Sequence, residues 1–97
     1  MLISSGQLNI TVSGAEGSEN TNYIRGLCHH IVAKPDTETT QYDISITNPA
    51  GAKIYERLSE TGTLSELVTI PVLGVYTVAI ANSTKDENFI VQIICQE

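Results

Sequence analysis

The segment from residue 42 to residue 51, YDISITNPAG, decides the fold class of this chain. Tyr42, Ile44 and Ile46 alternate with polar residues, which is the period of a β-strand with one buried face. The next residues, NPAG, place Asn first, Pro second and Gly fourth, which are the preferences of a type I turn. The segment therefore predicts a strand that enters a tight hairpin.

Similar strand-like runs recur on both sides of this segment. With 42–46 they give seven runs, spaced by about 8–12 residues over most of the chain, as in a sandwich or barrel. A helix over 53–66 is the alternative for one region, but the sequence Thr-Gly-Thr at its centre favours strands. We therefore predict an all-β chain, a single antiparallel β-sandwich of about seven strands over residues 1–97, with a short N-terminal arm over residues 1–6. The other runs cover residues 8–12, 26–33, 52–58, 64–70, 76–80 and 89–94.

Two polar segments are predicted to lie outside the strands. Residues 13–25 are rich in Gly, Ser, Asn and Glu, and residues 34–40 surround a proline. So long a loop as 13–25, in a domain of 97 residues, is either functional or mobile.

Charge and motifs exclude several classes of function. Eleven acidic against five basic residues give a net charge of −6, whereas nucleic acids and anionic membranes require clustered Lys and Arg. The first six residues have no basic region and no long apolar run, so no signal peptide is predicted. The sequence contains no phosphate-binding loop, nucleophile elbow or zinc-protease motif. We expect no enzyme activity, no catalytic residue, no metal, no cofactor, and neither a nucleic-acid nor a membrane partner.

The sequence GVYTV at residues 74–78 follows a proline-containing crossover and opens a strand. It resembles the tyrosine corner of immunoglobulin-like sandwiches, which implies immunoglobulin-like architecture and a structural role for Tyr76. Val78 stands where antibody domains carry Cys, and the chain has no Trp, so only the architecture is shared. The order of 42–51 and 74–78 is also similar to that of bacterial pre-peptidase C-terminal domains.

A broader resemblance covers length, acidity and fold. Phage capsid decoration (cement) proteins are often acidic chains of about this length that lack a signal peptide and form one β-sandwich. The resemblance implies a non-enzymatic virion protein, made in the host cytoplasm, that binds the outside of a bacteriophage capsid. Its expected partners are the major capsid protein or another virion protein, and further copies of itself in a homo-oligomer.

The last strand is apolar on both faces, because Ile90 and Ile94 interrupt its alternation. Such a strand is either central to a sheet or in contact with another chain. The first three residues are similarly apolar. We predict an interface formed by Met1, Leu2, Ile3, Ile90 and Ile94, and the alternative is that both segments complete one core.

A carbohydrate-binding or adhesive module is the alternative function. Such modules present exposed aromatic rings to sugars. Tyr23 and Tyr55 are the candidates, because the other two tyrosines are predicted to point inward.

Cys28, His29, His30 and Cys95 form a cluster of possible soft metal ligands. Cys28 and His30 share a face if their strand is regular, and Cys95 joins them only if the second and last strands are neighbours. Two free cysteines are favoured over a metal site, and a disulfide bond stays open as an alternative. His29 and His30 are interpreted as ordinary strand histidines.

Overall fold

The structure is a computed structural model that describes residues 2–97, and for Leu2 and Ile3 it describes only the backbone. Over this range the chain forms strands and no helix. Consequently, residues 2–97 include no helix that is long and apolar enough to cross a membrane. The strands are β1 (Leu2–Ser4), β2 (Leu8–Thr11), β3 (Gly17–Asn20), β4 (Ile24–Pro35), β5 (Gln41–Thr47), β6 (Lys53–Thr61), β7 (Leu64–Gly74), β8 (Thr77–Ala81) and β9 (Asn88–Gln96).

The strands form two antiparallel sheets that pack face to face. The first sheet has the order β1-β9-β4-β7, and β2 also pairs with β9. The second sheet has the order β3-β8-β5-β6. The prediction of an all-β antiparallel sandwich is confirmed, with β1 and β3 added to the seven predicted strands. The last strand, β9, pairs with β4 in the first sheet.

The core lies between the two sheets and uses the alternation seen in the sequence. Tyr42 and Phe89 come from opposite sheets, and their rings meet edge to face with centroids 4.8 Å apart. The Tyr42 hydroxyl donates a hydrogen bond of 2.7 Å to the carbonyl of Gly62, so its polar atom is satisfied inside the core. The other fully buried large apolar side chains are Ile10, Ile24, Ile31, Ile44, Ile46, Val78, Ile80, Val91 and Ile93.

The N-terminal segment runs along one side of β9 as an interrupted strand. Between β1 and β2, the Ser5 amide donates to the Ile93 carbonyl, and the Ser5 hydroxyl accepts from the Ile93 amide, both at 2.9 Å. The Ser5 hydroxyl oxygen thus accepts the hydrogen bond that a backbone carbonyl would accept in a regular strand, at the point where the chain bends between β1 and β2. Within the predicted arm over residues 1–6, residues 2–4 form β1. The strand β9 is therefore central to its sheet, which accounts for its apolar residues on both faces.

The predicted loop over residues 13–25 is wrong at residues 17–20, which form β3, and at residues 24–25, which begin β4. The predicted loop over residues 34–40 is likewise wrong at residues 34–35, where β4 ends. Gly14 and Ala15 both have positive φ, as in a type I′ turn, and they lead from β2 of one sheet into β3 of the other. The Asp86 carboxylate accepts hydrogen bonds from both of their amides, at 3.1 and 3.0 Å. Because β3 is an edge strand with mostly exposed polar residues, it carries no apolar alternation that a sequence could reveal.

Candidate functional site

The outer face of the five-stranded sheet is the candidate site, and the strand register defines it. Leu67 of β7 lies opposite His30 of β4, which lies opposite Ile94 of β9. Leu27 of β4 lies opposite Pro71 of β7. Residues directly opposite each other share a face of a sheet, so these two rows point away from the core.

Exposed apolar side chains concentrate on this side of the molecule. Leu67 is 80% exposed. Single exposed leucines are common on protein surfaces, but several exposed leucines on one face indicate a contact surface. Most of the exposed large apolar residues lie on β4, on β7 or directly beside these strands in the chain. They are Tyr23, Leu27, Leu67, Leu73 and Val75, whereas Leu58 lies on the other sheet.

The strands of the outer face carry outward basic residues, and the acidic residue Glu97, which directly follows β9, forms an ion pair with Arg25 there. The basic residues Arg25 and Lys34 occupy outward positions on β4, and no carboxylate occupies an outward position on β4, β7 or β9. Glu66 of β7 lies opposite Ile31, which is buried, and therefore points to the inner side. In a chain with a net charge of −6, most of the acids therefore lie away from these strands, and Glu97 is paired with Arg25.

The structure places part of the predicted interface here. Ile90 and Ile94 are half-buried on the outer face of β9. Leu2 and Ile3 pair through their backbones with the C-terminal end of β9, and Met1 lies outside the described residues. The exposure of Leu27, Leu67 and Leu73 is not predicted from the sequence. Strand periodicity alone does not tell which of two apolar phases faces the core.

The outer face of the second sheet has a different chemistry. Its surface is a shallow groove lined by small residues such as Ser45 and Ala79. Lys53 and Glu56 form an exposed ion pair of 2.7 Å at its edge. Leu58, 62% exposed, lies beside these polar groups rather than among other apolar side chains.

The cluster of soft ligands is divided between two faces. Cys28 lies directly opposite Cys95 and both are buried, but the register shifts by a β-bulge between Cys28 and His30. The prediction that Cys28 and His30 share a face is therefore wrong, since a bulge reverses the alternation. The His30 Nε2 atom instead contacts the Ser65 hydroxyl at 2.8 Å. Among the described residues, no three His, Cys, Asp or Glu side chains are placed to hold a metal ion.

The tyrosines divide between structural and exposed positions. The Tyr76 hydroxyl accepts a hydrogen bond of 2.8 Å from the Leu73 amide, which is the contact of a tyrosine corner. The prediction that Tyr55 is exposed is wrong, since it is buried and donates a hydrogen bond of 2.7 Å to Glu66. Burial, reinforced by that carboxylate, raises the pKa of Tyr55. Only Tyr23 remains as an exposed aromatic residue in the described part of the chain.

Several carboxylates hold neighbouring strands and turns together. The Asp43 carboxylate accepts hydrogen bonds from the Ser59 amide at 2.8 Å and from the Asn82 side chain at 2.7 Å. The Glu38 carboxylate accepts from the Thr63 amide and hydroxyl. These hydrogen bonds favour the ionised form, so they lower the pKa of both Asp43 and Glu38.

Acid is expected to destabilise the fold through these carboxylates. The pKa of Asp86 is likewise lowered, first by its hydrogen bond from Ala15 and then by that from Gly14. A carboxyl with a lowered folded pKa stabilises the fold above its unfolded pKa of about 4, and this contribution is lost as the pH falls through the folded pKa. We expect the melting temperature to fall between about pH 5 and pH 3.

Asp86→Asn should flatten that pH dependence, and thermal melts at several pH values would show it. Glu19→Gln, at an exposed position on β3, is the matched control. A pH profile for Asp86→Asn as steep as that of Glu19→Gln would contradict the role assigned to Asp86.

No protein-family profile matches this chain, and no curated protein matches it. The class is therefore defined by fold and surface alone. The chain is a β-sandwich with one sheet face on which exposed leucines concentrate and whose strands β4, β7 and β9 carry no outward carboxylate.

Proposed function

We propose that this chain is a non-enzymatic virion protein that decorates the outside of a phage capsid. It binds the major capsid protein or another virion protein through the outer face of the five-stranded sheet. The observation that supports this is the concentration of Leu27, Leu67 and Leu73 on a face whose strands β4, β7 and β9 carry no outward carboxylate.

The chemistry of the face suits a protein partner. Fully burying an exposed leucine side chain contributes about 1.5–3 kcal/mol of favourable free energy. Because Leu67 is largely exposed, a partner that covers it would gain most of that amount. The face is built on strands rather than on loops, so little conformational entropy is lost when a partner covers it.

The extended shape of the face suits repeated contacts. The eleven residues of β7 extend over roughly 36 Å along one edge of the sheet. A symmetric lattice presents the same partner surface many times, so a homo-oligomer of this chain would gain affinity through avidity.

Binding to particles tests the proposal directly. The tagged chain would be produced together with tailed-phage particles in the strain that carries its gene, and the particles would be banded by density and examined by negative-stain microscopy. We expect the wild-type chain to sediment with the particles. Leu67→Glu should reduce bound chain at least about tenfold, because its charge would have to be desolvated.

Leu58→Glu is the matched control, since it places the same charge at an exposed leucine of the other sheet. It should sediment with particles as the wild type does. Particles that carry no wild-type chain would overturn the decoration proposal, and equal loss for both variants would overturn the assignment of the face. The molecular mass of the free chain in solution tests whether it forms a homo-oligomer. A strictly monomeric chain would exclude the homo-oligomer.

A carbohydrate-binding or adhesive module is the second candidate. Tyr23 supports it, because this residue is 58% exposed and immediately precedes β4. The burial of Tyr55 removes the second aromatic ring that such a platform was predicted to have. Glycan-array binding that disappears in Tyr23→Ala would support this function, and an array without signal would exclude it.

A further inference from the structure

Two cysteines that are far apart in the chain meet in the core. Cys28 of β4 lies directly opposite Cys95 of β9, and their side chains are only 2% and 0% exposed. Directly opposite residues of neighbouring strands point to the same face of the sheet, so both thiols lie side by side on its inner face.

The backbone pattern of β9 shows which kind of cross-strand pair they form. The amide and the carbonyl of Ile93 both bond to Ser5, so they point away from β4. Cys95, two residues further along a regular strand, has the same orientation. Cys28 and Cys95 are therefore a non-hydrogen-bonded pair, in which the Cα atoms lie about 4.5 Å apart.

That separation is compatible with a disulfide bond. Disulfides join Cα atoms that are about 4.4–6.8 Å apart, with Cβ atoms about 3.5–4.5 Å apart. Directly opposite Cβ atoms in a sheet are about 4.5–5.5 Å apart, so closure requires an approach of up to about 1 Å. The adjacent bulge at His29 interrupts the regular register, which lets β4 adjust locally.

We propose that Cys28 and Cys95 form an oxidisable dithiol, and that a small-molecule disulfide such as oxidised glutathione converts it to a bond that ties β4 to β9. One thiolate attacks the reagent and forms a mixed disulfide, with release of one glutathione thiolate. The second cysteine thiolate then attacks the protein sulfur and releases the other glutathione. The protein loses two protons and two electrons, and the reagent is reduced to two thiols.

Burial controls when this reaction takes place. Burial raises the pKa of Cys28 to about 12, and burial also raises the pKa of Cys95. The reactive thiolate is therefore scarce in the folded chain. Oxidation should be fast while the chain folds, or when β9 opens locally, and slow once the sheet has closed. A bond formed in this way is correspondingly protected from reductants.

Refolding the full chain in oxidised and reduced glutathione tests the proposal. The expected product is a monomer lighter by two hydrogen atoms, in which a non-reducing peptide map joins the peptides of Cys28 and Cys95. Because the bond closes a long loop, the oxidised chain should melt at least about 10 °C above the reduced chain.

Cysteine variants distinguish the effect of the Cys28–Cys95 disulfide bond from other effects of the oxidant on stability. Cys28→Val keeps a small apolar side chain in the core and should show no oxidant-dependent shift of the melting temperature, and Cys95→Ala should behave in the same way. The proposal is overturned if both wild-type thiols remain open to alkylation after refolding. It is also overturned if glutathione adducts or intermolecular dimers are the main products.

Discussion

Phe89→Ala is expected to lower the free energy of unfolding by about 3–5 kcal/mol. Phe89 is fully buried at the centre of the sandwich, where its ring meets that of Tyr42 from the opposite sheet. The substitution removes apolar contacts on both sides and leaves a cavity that a strand framework fills poorly. A domain of this size has about 5–15 kcal/mol of stability in total, so a large fraction would be lost.

Urea unfolding followed by circular dichroism would measure this effect. Ile90→Ala is the matched control, because it changes the next residue of the same strand, which is half-buried on the outer face. We expect the control to cost roughly 1 kcal/mol. Equal costs for the two variants would show that the inward and outward positions of β9 are misassigned.

Gly26→Ala is expected to cost at least about 3 kcal/mol, from backbone strain and from collision with the neighbouring strand. Gly26 has a φ of +106°, a conformation that residues with a Cβ rarely adopt. A Cβ at this position would lie 2.3 Å from the carbonyl oxygen of Gln96. That oxygen belongs to the backbone of β9, so relief of the collision requires the two strands to separate.

Gly6→Ala separates the two causes. Gly6 also has a positive φ, of +73°, but a Cβ there would meet no atom within 4 Å. We expect this control to cost only about 1 kcal/mol, from backbone strain alone. Thermal melts of both variants would show the difference, and equal losses would contradict the role of the β4–β9 contact.

Much of the architecture is readable in the sequence. The alternation of Tyr42, Ile44 and Ile46 correctly predicts a strand with its apolar residues in the core. The seven predicted strands are present, and the turn after 42–46 closes a hairpin through hydrogen bonds to the Asn48 side chain. Such features are local, because a strand with one buried face requires period two and a turn requires particular backbone angles.

The candidate site was only partly predictable. Ile90 is one of the predicted interface residues that the structure places on the outer face, but Leu67 gave no signal that distinguishes it from a core residue. Tyr55 was expected on the surface, yet it is buried against Glu66 at the edge where β6 approaches β7. Exposure of an apolar residue depends on what lies opposite it in space, and this information is absent from a single strand.

The sequence by itself determined that this chain forms strands, that they are antiparallel, and that they enclose one core. Only the tertiary structure decided that β9 lies between β4 and the N-terminal strands, that a bulge places His30 apart from Cys28, and that Cys28 meets Cys95. The physical reason is that burial on one face imposes a local period, whereas the choice of neighbouring strand is a competition among pairings distant in the chain. The apolar outer face and the buried dithiol both arise from that choice.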